Sequence, residues 1–319
     1  MIEVKNLTKR YGNHLAVDHL NFTVESGKIY GFLGPNGAGK STTMNIMTGY
    51  LGATEGQVLI DGHDILKEPE EAKKNIGYLP EIPPLYMEMT VLEYLEFAAE
   101  LKGIKKDKRE PQIEEVIRLA KLRDVEIRLI QNLSKGYKQR VGLAQAVLGF
   151  PEIIILDEPT VGLDPKQIIE IRELIRKLAK KHTVILSSHI LAEVREVCDY
   201  IMIISGGKLV ASDTTENLEN MMSGKGQIEV EAKASRDEMD HIIRRTGKIK
   251  EVKYRTSASG ITTAQIIAKG GEDIREELFL AFSHADVPML TLNQSKTTLE
   301  EIFLELTQGS GNRMIKEEK

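Results

Sequence analysis

Short, uninterrupted apolar runs recur through the first two hundred residues of the chain. They lie in KIYGFLG, GQVLIDG, NIGYLP, IIILD and TVILSSH, and they are rich in β-branched residues. Runs that are apolar throughout, rather than at alternate positions, are typical of strands buried on both faces of a parallel or mixed sheet. Helical segments such as KSTTMNIMTG separate several of these runs. The pattern therefore predicts an α/β fold.

Between Glu81 and Phe150 the apolar positions change to a helical period. Thr90 and Glu93 form a capping box ahead of VLEYLEFAAELKGI, and EPQIEEVIRLAKL and KGYKQRVGLAQAVLG follow. The spacing predicts an α-helical subdomain at about residues 82–150. We expect the charged stretch GIKKDKREP to be a solvated loop.

The composition changes again after the first two thirds of the chain, where ENLENMMSGKG is typical of a linker. Beyond it the pattern predicts a strand in QIEVEAK, a helix from Ser235, strands in KEVKYRT and ITTAQIIAK, a helix in DIREELFLAFSHA, a strand in MLTLNQ and a helix in TLEEIFLELT. The order βαββαβ, followed by a last helix, indicates a small α+β domain of the ferredoxin-like kind. We expect one domain at 1–218 and a second, accessory domain at 219–319.

Charge and composition exclude several classes of protein. The 319 residues carry 43 Lys and Arg against 48 Asp and Glu, a net charge of -5, so no overall field attracts DNA, RNA or an anionic membrane, and no nucleic-acid partner is expected. No apolar stretch approaches the roughly 20 residues of a membrane span. The single cysteine, Cys198, and the absence of an apolar core near the N-terminus point to a reducing cytosol. A role at a membrane would require a partner.

A glycine-rich loop supplies the first candidate chemistry. Gly34, Gly39, Lys40 and Ser41 match the pattern G-x-x-x-x-G-K-[ST] where a predicted strand ends and a helix begins. Glycines let successive N–H groups turn toward phosphate oxygens, and the helix start adds positive potential. Lys40 is expected to bridge the β- and γ-phosphates, and Ser41 to ligate Mg²⁺. The predicted nucleotide contacts in this loop are Gly34, Asn36, Gly37, Ala38, Gly39, Lys40, Ser41 and Thr42.

Two carboxylates at the end of IIILD indicate hydrolysis. Asp157 ends a predicted buried strand and is placed to hold the metal through its water shell. Glu158 follows at once, and a carboxylate at that position can accept a proton from an attacking water. A nucleoside triphosphatase with Mg²⁺ as cofactor is the simplest interpretation.

The segment NLSKGYKQRVGLAQA narrows the class. Leu133, Ser134 and Gly136, followed by Gln139 and Arg140, resemble the signature motif of ATP-binding cassette (ABC) ATPases. A hydroxyl and backbone amides at a helix start form a second anion site. The resemblance implies that Ser134 and Gly136 contact the ATP held by a facing subunit. It also implies a P-loop ATPase cassette that carries an α-helical subdomain.

Three further residues occupy positions that match the same family over about 1–215. Tyr11 stands where the family has an aromatic that stacks on adenine. The segment GLDP, with Asp164, resembles the loop that connects the two sites of the dimer in that family. His189, at the end of TVILSSH, resembles the switch histidine that contacts the γ-phosphate. The resemblance thus implies Lys40, Glu158 and His189 as catalytic residues.

The chain departs from the family pattern at two places. Glu81 in IGYLPEIPPLY replaces a common Gln whose amide meets Mg²⁺, and we expect its carboxylate to ligate the metal together with Ser41 and Asp157. In the signature, Lys135 and Tyr137 replace the usual Gly and Gln. These changes are expected to alter the contact with the γ-phosphate.

Four segments most resemble those of ATP-binding subunits of ABC-2-type exporters, including drug-export and gliding-motility-associated types. These segments are LSKGYKQRVGLAQA, DEPTVGLDP, SSHILAEV and TLEEIFLELT. That resemblance implies a dimer with a second ABC subunit, expected as a homodimer with a heterodimer as the alternative. It also implies a polytopic membrane permease as partner and a cytoplasmic position on the inner face of the membrane. ATP-driven dimer closure would power export. A soluble ABC ATPase acting in repair or translation is the alternative, although such proteins usually carry two cassettes, zinc modules or a basic arm.

Overall fold

The chain folds into two compact units. The computed structural model describes residues 1–218, 227–257, 260–295, 303–304 and 307. One unit is built on Met1–Thr215 and the other on Glu216–Glu305.

The first unit alternates strands and helices. Its strands are β1 (Ile2–Tyr11), β2 (His14–Val24), β3 (Ile29–Leu33), β4 (Glu55–Ile60), β5 (His63–Asp64), β6 (Ile76–Leu79), β7 (Ile153–Leu156), β8 (Thr183–Ser188), β9 (Tyr200–Ser205) and β10 (Lys208–Thr214). Its helices are α1 (Lys40–Met47), α2 (Pro69–Lys74), α3 (Val91–Leu101), α4 (Lys106–Leu119), α5 (Lys135–Val147), α6 (Pro165–Leu178) and α7 (Leu191–Val197).

Two sheets share the core of this unit. An antiparallel sheet has the order β2-β1-β4-β5, and a larger sheet has the order β10-β9-β3-β8-β7-β6. In the larger sheet only β10 runs antiparallel to its neighbour. Every residue of β3, β7 and β8 is buried, as the continuous apolar runs predict. The α/β expectation is confirmed, and the parallel strands end at one common edge.

The hairpin of β1 and β2 is a structural feature that the sequence pattern did not reveal. The two strands pair antiparallel up to Tyr11 opposite His14. Register shifts between Val4 and Leu7, and again between Leu7 and Lys9, interrupt the alternation of buried and exposed positions. Because bulges break the period of two, the hydrophobic pattern gives no clear strand signal here.

Helices α3, α4 and α5 lie between β6 and β7. At the start of α3, the Thr90 hydroxyl accepts the Glu93 N–H, and the Glu93 carboxylate accepts the Thr90 N–H. The predicted capping box is thereby confirmed.

The expectation of a solvated loop at GIKKDKREP was wrong. Helix α4 begins at Lys106 and contains Pro111. The Arg109 Nε donates to the Ile104 carbonyl at 2.8 Å, which ties the first turn to the segment before it. Charged residues on a surface helix carry no apolar period, so the pattern could not place this helix start.

The second unit is an antiparallel sheet covered by helices. Its elements are β11 (Gln227–Ala232), α8 (Arg236–Arg244), β12 (Ile249–Thr256), β13 (Thr262–Ala268), α9 (Arg275–His284) and β14 (Met289–Ser295). The strand order β12-β13-β11-β14 and the βαββαβ sequence confirm the ferredoxin-like expectation. Most of the predicted final helix TLEEIFLELT, and of the predicted linker ENLENMMSGKG, falls outside the described residues.

Candidate functional site

The carboxyl edge of the parallel sheet collects the polar residues that the motifs single out. Strand β3 leads into the glycine loop, β7 into Asp157 and Glu158, and β8 into His189. Because β3, β8 and β7 are neighbours in the sheet, segments more than a hundred residues apart in sequence meet at this edge. Such an edge is where ligands bind in open α/β sheets.

The glycine loop makes close backbone contacts that exclude side chains. A Cβ on Gly34 would lie 2.3 Å from the carbonyl oxygen of Ile204, and one on Gly39 would lie 2.6 Å from that of Ala16. Gly39 also has a φ of 104° and stands directly before α1. Glycine is therefore required for this loop to pack against its surroundings and enter the helix. Asn36, Gly37, Ala38 and Thr42 belong to the same loop and first helical turn.

Lys40 is buried and lies close to one of the predicted catalytic carboxylates. Its Nζ donates to the Gly34 carbonyl at 2.8 Å and is 3.4 Å from the Glu158 Oε1. The side chains of Lys40 and Glu158 are only 6% and 8% exposed. A buried ammonium must have such partners, because desolvation without them is costly.

Asp157 accepts two hydroxyl hydrogen bonds on a single oxygen. Ser41 Oγ donates to its Oδ1 at 3.2 Å, and Ser187 Oγ donates to the same atom at 2.5 Å. Burial raises the pKa of Asp157, and the hydrogen bonds from Ser187 and Ser41 oppose that shift. The hydroxyls of Ser41 and Ser187 thus fix this carboxylate beside the start of α1.

Glu158 is held in an uncommon backbone conformation. Its φ of 47° lies in the left-handed region, which few residues other than glycine adopt. Its N–H donates to the Ser187 Oγ at 2.8 Å, and its Oε2 is 3.0 Å from the His189 Nδ1. Strain of this kind persists only where neighbouring contacts enforce it, and it is concentrated at functional sites.

Ser187 is a residue of this cluster that the sequence analysis left without a role. It connects the predicted metal carboxylate to the backbone of the predicted base. Its only sequence signal was a hydroxyl at the end of the apolar run TVIL.

A cavity of about 850 Å³ adjoins the cluster. Ser41, Asp157 and Glu81 line it together, so the three residues predicted to ligate a metal do face one space. Tyr50 and Ile82 also line it, and they are among the most exposed apolar residues of the described chain.

A second group of predicted contacts lies at the starts of α5 and α6. Ser134 caps α5 by accepting the Tyr137 N–H at 3.4 Å, and Asp164 caps α6 by accepting the Gln167 N–H at 2.9 Å. A Cβ on Gly136 would lie 2.5 Å from the Gln167 amide. The two helix starts therefore pack together, with Ser134 exposed.

Within one chain this second group borders a different cavity from the first, one that Gly136 and Asp164 line. Among the described residues, no hydrogen bond or ion pair joins Ser134 or Gly136 to the glycine loop. The two side chains that depart from the family signature contact residues of their own chain. Lys135 lies against Gly162, and Tyr137 Oη donates to Asp124 at 2.6 Å.

Tyr11 lies at the end of β1. The residue is 49% exposed, with the Lys9 Nζ 5.4 Å from the ring centre. It is therefore open to a planar ligand.

A glycine loop, a buried lysine and an Asp-Glu pair at the edge of a parallel sheet define a P-loop nucleoside triphosphatase. Comparison with known proteins agrees. The family model described as ABC transporter matches residues 17–161. The bacitracin transport ATP-binding protein of Bacillus licheniformis is 42% identical over 221 residues, which cover 69% of this chain and 71% of that protein. The chain belongs to the ABC transporter ATP-binding proteins, and its activity is ATP binding and hydrolysis in ATP-powered transport.

Three further comparisons define the extent of the likeness. The linearmycin resistance ATP-binding protein of Bacillus subtilis is 31% identical over 308 residues, covering 96% of this chain and 98% of that protein, so the match includes the second unit. The structure of an ATP-binding subunit of an ABC transporter matches with a TM-score of 0.64 and 32% identity, over 69% of this chain and 92% of that one. A dimeric cassette in a post-hydrolysis state bound to ADP and Pi matches with a TM-score of 0.61 and 28% identity, over 67% and 98%.

Of the helices within the described residues, none combines the length and the apolar character that crossing a bilayer requires.

Proposed function

We propose that two copies of this chain close around two ATP molecules and thereby drive a polytopic permease of an ABC-2-type exporter. The observation that carries the proposal is that two helix starts predicted to bind phosphate, one at Lys40 and the other at Ser134, belong to groups that border different cavities of one chain and share no hydrogen bond or ion pair among the described residues. A single chain holds one of each, so a facing copy would complete each site. Stronger ATP binding to the closed state supplies the work.

The first half of each site would hold the phosphates and the metal. The glycine loop and Lys40 are proposed to bind the β- and γ-phosphates. The hydroxyl of Ser41 and the carboxylates of Asp157 and Glu81 are oxygen ligands that border one cavity, which suits Mg²⁺. When bound, Mg²⁺ neutralises charge on the phosphates.

Glu158 and His189 are proposed to act on the attacking water. The 3.0 Å contact between their side chains and the burial of Glu158 support a general base held in place by an imidazole. The Glu158 carboxylate takes the proton from water, and His189 orients that carboxylate and faces the γ-phosphate.

The second half of each site would come from the facing copy. Ser134 and the backbone N–H of Gly136 would contact the γ-phosphate, and Asp164 would lie between the two sites. Helix-start donors favour an anion, and the exposure of Ser134 makes it available across an interface. Tyr11, half exposed at the end of β1, would stack on adenine.

The permease is proposed to bind at the cavity beside Glu81. Tyr50 and Ile82, which both line it, are 84% and 83% exposed, and exposed apolar side chains that border one cavity are typical of an interaction site. A short cytoplasmic helix of the permease would cover them, which would place this subunit on the inner face of the membrane. The relatives' names support an exporter for compounds such as bacitracin, linearmycin and lantibiotics. No comparison favours the alternative role in repair or translation.

Isolation of the tagged chain from detergent-solubilised membranes tests the partner. We expect wild type to carry a polytopic membrane protein, Ile82→Asp to lose it, and Ile127→Asp to retain it. Ile127 is a matched control because it is 78% exposed and does not line this cavity. Equal recovery with Ile82→Asp, or no membrane protein with wild type, would contradict the docking proposal.

A further inference from the structure

Helix α7 carries a buried carboxylate to which the ATPase mechanism assigns no role. Glu193 is only 6% exposed. Its Oε2 accepts a hydrogen bond from the Thr160 Oγ1 at 2.5 Å and another from the Ser188 Oγ at 3.2 Å. Both hydroxyl-bearing residues are buried, Thr160 with 6% and Ser188 with 1% exposed. A carboxylate is buried in this way only where hydrogen bonds compensate its lost hydration.

The two hydroxyls belong to two different segments, each of which carries a proposed catalytic residue. Thr160 lies two residues after Glu158, and Ser188 directly precedes His189. Glu193 therefore ties the segment after β7 to the segment after β8. The two segments that Glu193 joins are the same two that the contact between Glu158 and His189 joins.

The Ser188 hydroxyl extends this connection to the backbone. It accepts the Ile190 N–H at 3.0 Å while it donates to Glu193. The turn that presents His189 is thus bound on both sides, by Ser188 before it and Ile190 after it. Loss of the Glu193 carboxylate would leave two buried hydroxyls without their acceptor.

A solvated helix face does not explain this residue. Glu196, on the same helix, has a side chain that is 58% exposed and pairs with Arg172. The contrast within one helix shows that α7 places one carboxylate in solvent and the other against the catalytic segments.

We infer that Glu193 is a positioning residue that sets the geometry between Glu158 and His189 through the hydroxyls of Thr160 and Ser188. The inference rests on the proposed roles of Glu158 and His189. Displacement of a catalytic group by about 1 Å can lower a rate by up to about a hundredfold without weakening substrate binding. Glu193 would thus act on kcat rather than on nucleotide affinity.

Steady-state ATPase measurements on the full chain test the inference with Glu193→Ala, Glu193→Gln and the matched control Glu196→Ala. We expect kcat of Glu193→Ala to fall at least about tenfold, with KM for ATP within about twofold of wild type. Glu193→Gln should recover most of the rate, because its amide oxygen can accept both hydroxyls. Glu196→Ala should match wild type.

Variants of the two hydroxyls keep the test valid if Glu193→Ala does not fold. Thr160→Val and Ser188→Ala should each lower kcat at unchanged KM, and each should lower it by a similar factor in a Glu193→Gln background, where the amide oxygen still accepts the hydroxyls. The inference is overturned if the folded Glu193→Ala or both hydroxyl variants keep kcat within about twofold of Glu196→Ala, or if KM rises in step with the loss of kcat. If Glu158→Gln abolishes turnover while these variants do not alter it, the positioning role fails and the proposed function stands.

Discussion

The two proposed halves of the ATP site differ in how completely one chain builds them. Around Lys40 the partners are buried and fixed by bonds within the chain, including those of Asp157 to Ser41 and Ser187. Around Ser134 the contacts belong to helix capping, and the hydroxyl remains exposed. A preorganised half can bind nucleotide alone, whereas an exposed half acts only when a second surface approaches. This difference is what a nucleotide-dependent dimer requires.

Glu158→Gln should give the largest effect, because it removes the proposed base from the preorganised half. We expect ATP turnover to fall about 10³-fold, nucleotide affinity to be retained, and a dimer to accumulate with MgATP. Phosphate release measures turnover, and size-exclusion chromatography with MgATP measures the dimer. The control is Glu152→Gln, because Glu152 lies directly before β7, at the end of the strand away from Glu158. Turnover within tenfold of that control would contradict the assignment of the base.

Lys40→Ala should weaken nucleotide binding itself. Loss of a buried, charge-assisted contact with phosphate should lower the affinity for ATP roughly a hundredfold. Fluorescence titration with a labelled nucleotide measures the affinity, and Lys28→Ala, at the other end of the glycine-loop strand, is the control. Unchanged affinity in Lys40→Ala would refute the proposed phosphate contact.

Ser134→Ala should separate the two halves of the site. Nucleotide affinity of the isolated subunit should be unchanged, while turnover falls roughly tenfold because one contact with the facing γ-phosphate is lost. Ser235→Ala is a matched control, since Ser235 caps α8 with the same geometry, accepting the Glu238 N–H at 3.3 Å.

Both serine variants should lose about 1 kcal/mol of stability through the lost cap. Only Ser134→Ala should lose turnover. Equal turnover in the two variants would show that Ser134 is no more than a helix cap.

Lys102 should affect stability with little change in turnover, because it holds the far end of α5. Its Nζ donates to the carbonyls of Leu148 and Ala146 at 2.7 and 3.2 Å, and burial lowers its pKa to about 8. Since the unfolded chain keeps the ordinary pKa of 10.5, it binds more protons than the folded chain between these values, so stability rises with pH there. Relative to Lys102→Met, wild type should gain stability between pH 7 and pH 9.5. Urea unfolding measures this, and a flat difference would contradict it.

The sequence predicted several local features that position the candidate site. Motifs with a fixed local spacing, such as the glycine loop and the capping box at Thr90, were readable because neighbours in sequence are neighbours in space. The contact of Glu158 with His189 requires two separate strands to end side by side. Once the buried runs are taken as adjacent parallel strands, that proximity follows.

Residues that act through distant partners were not predictable. Ser187 bonds to Asp157 and Glu158 from thirty and twenty-nine positions away, and Glu193 reaches Thr160 from thirty-three. A serine or glutamate has no pattern of its own that identifies such a partner. The bulged hairpin of β1 and β2 was missed for a similar reason, because pairing across strands, rather than local period, determines it.

The most direct test of the two-half site is a structure of the Glu158→Gln protein assembled with MgATP. The account predicts a dimer in which the Ser134 hydroxyl of each copy lies within about 3.2 Å of a γ-phosphate oxygen of the ATP bound at Lys40 of the other copy. A nucleotide-loaded assembly in which Ser134 faces solvent, or lies far from every γ-phosphate, would contradict it.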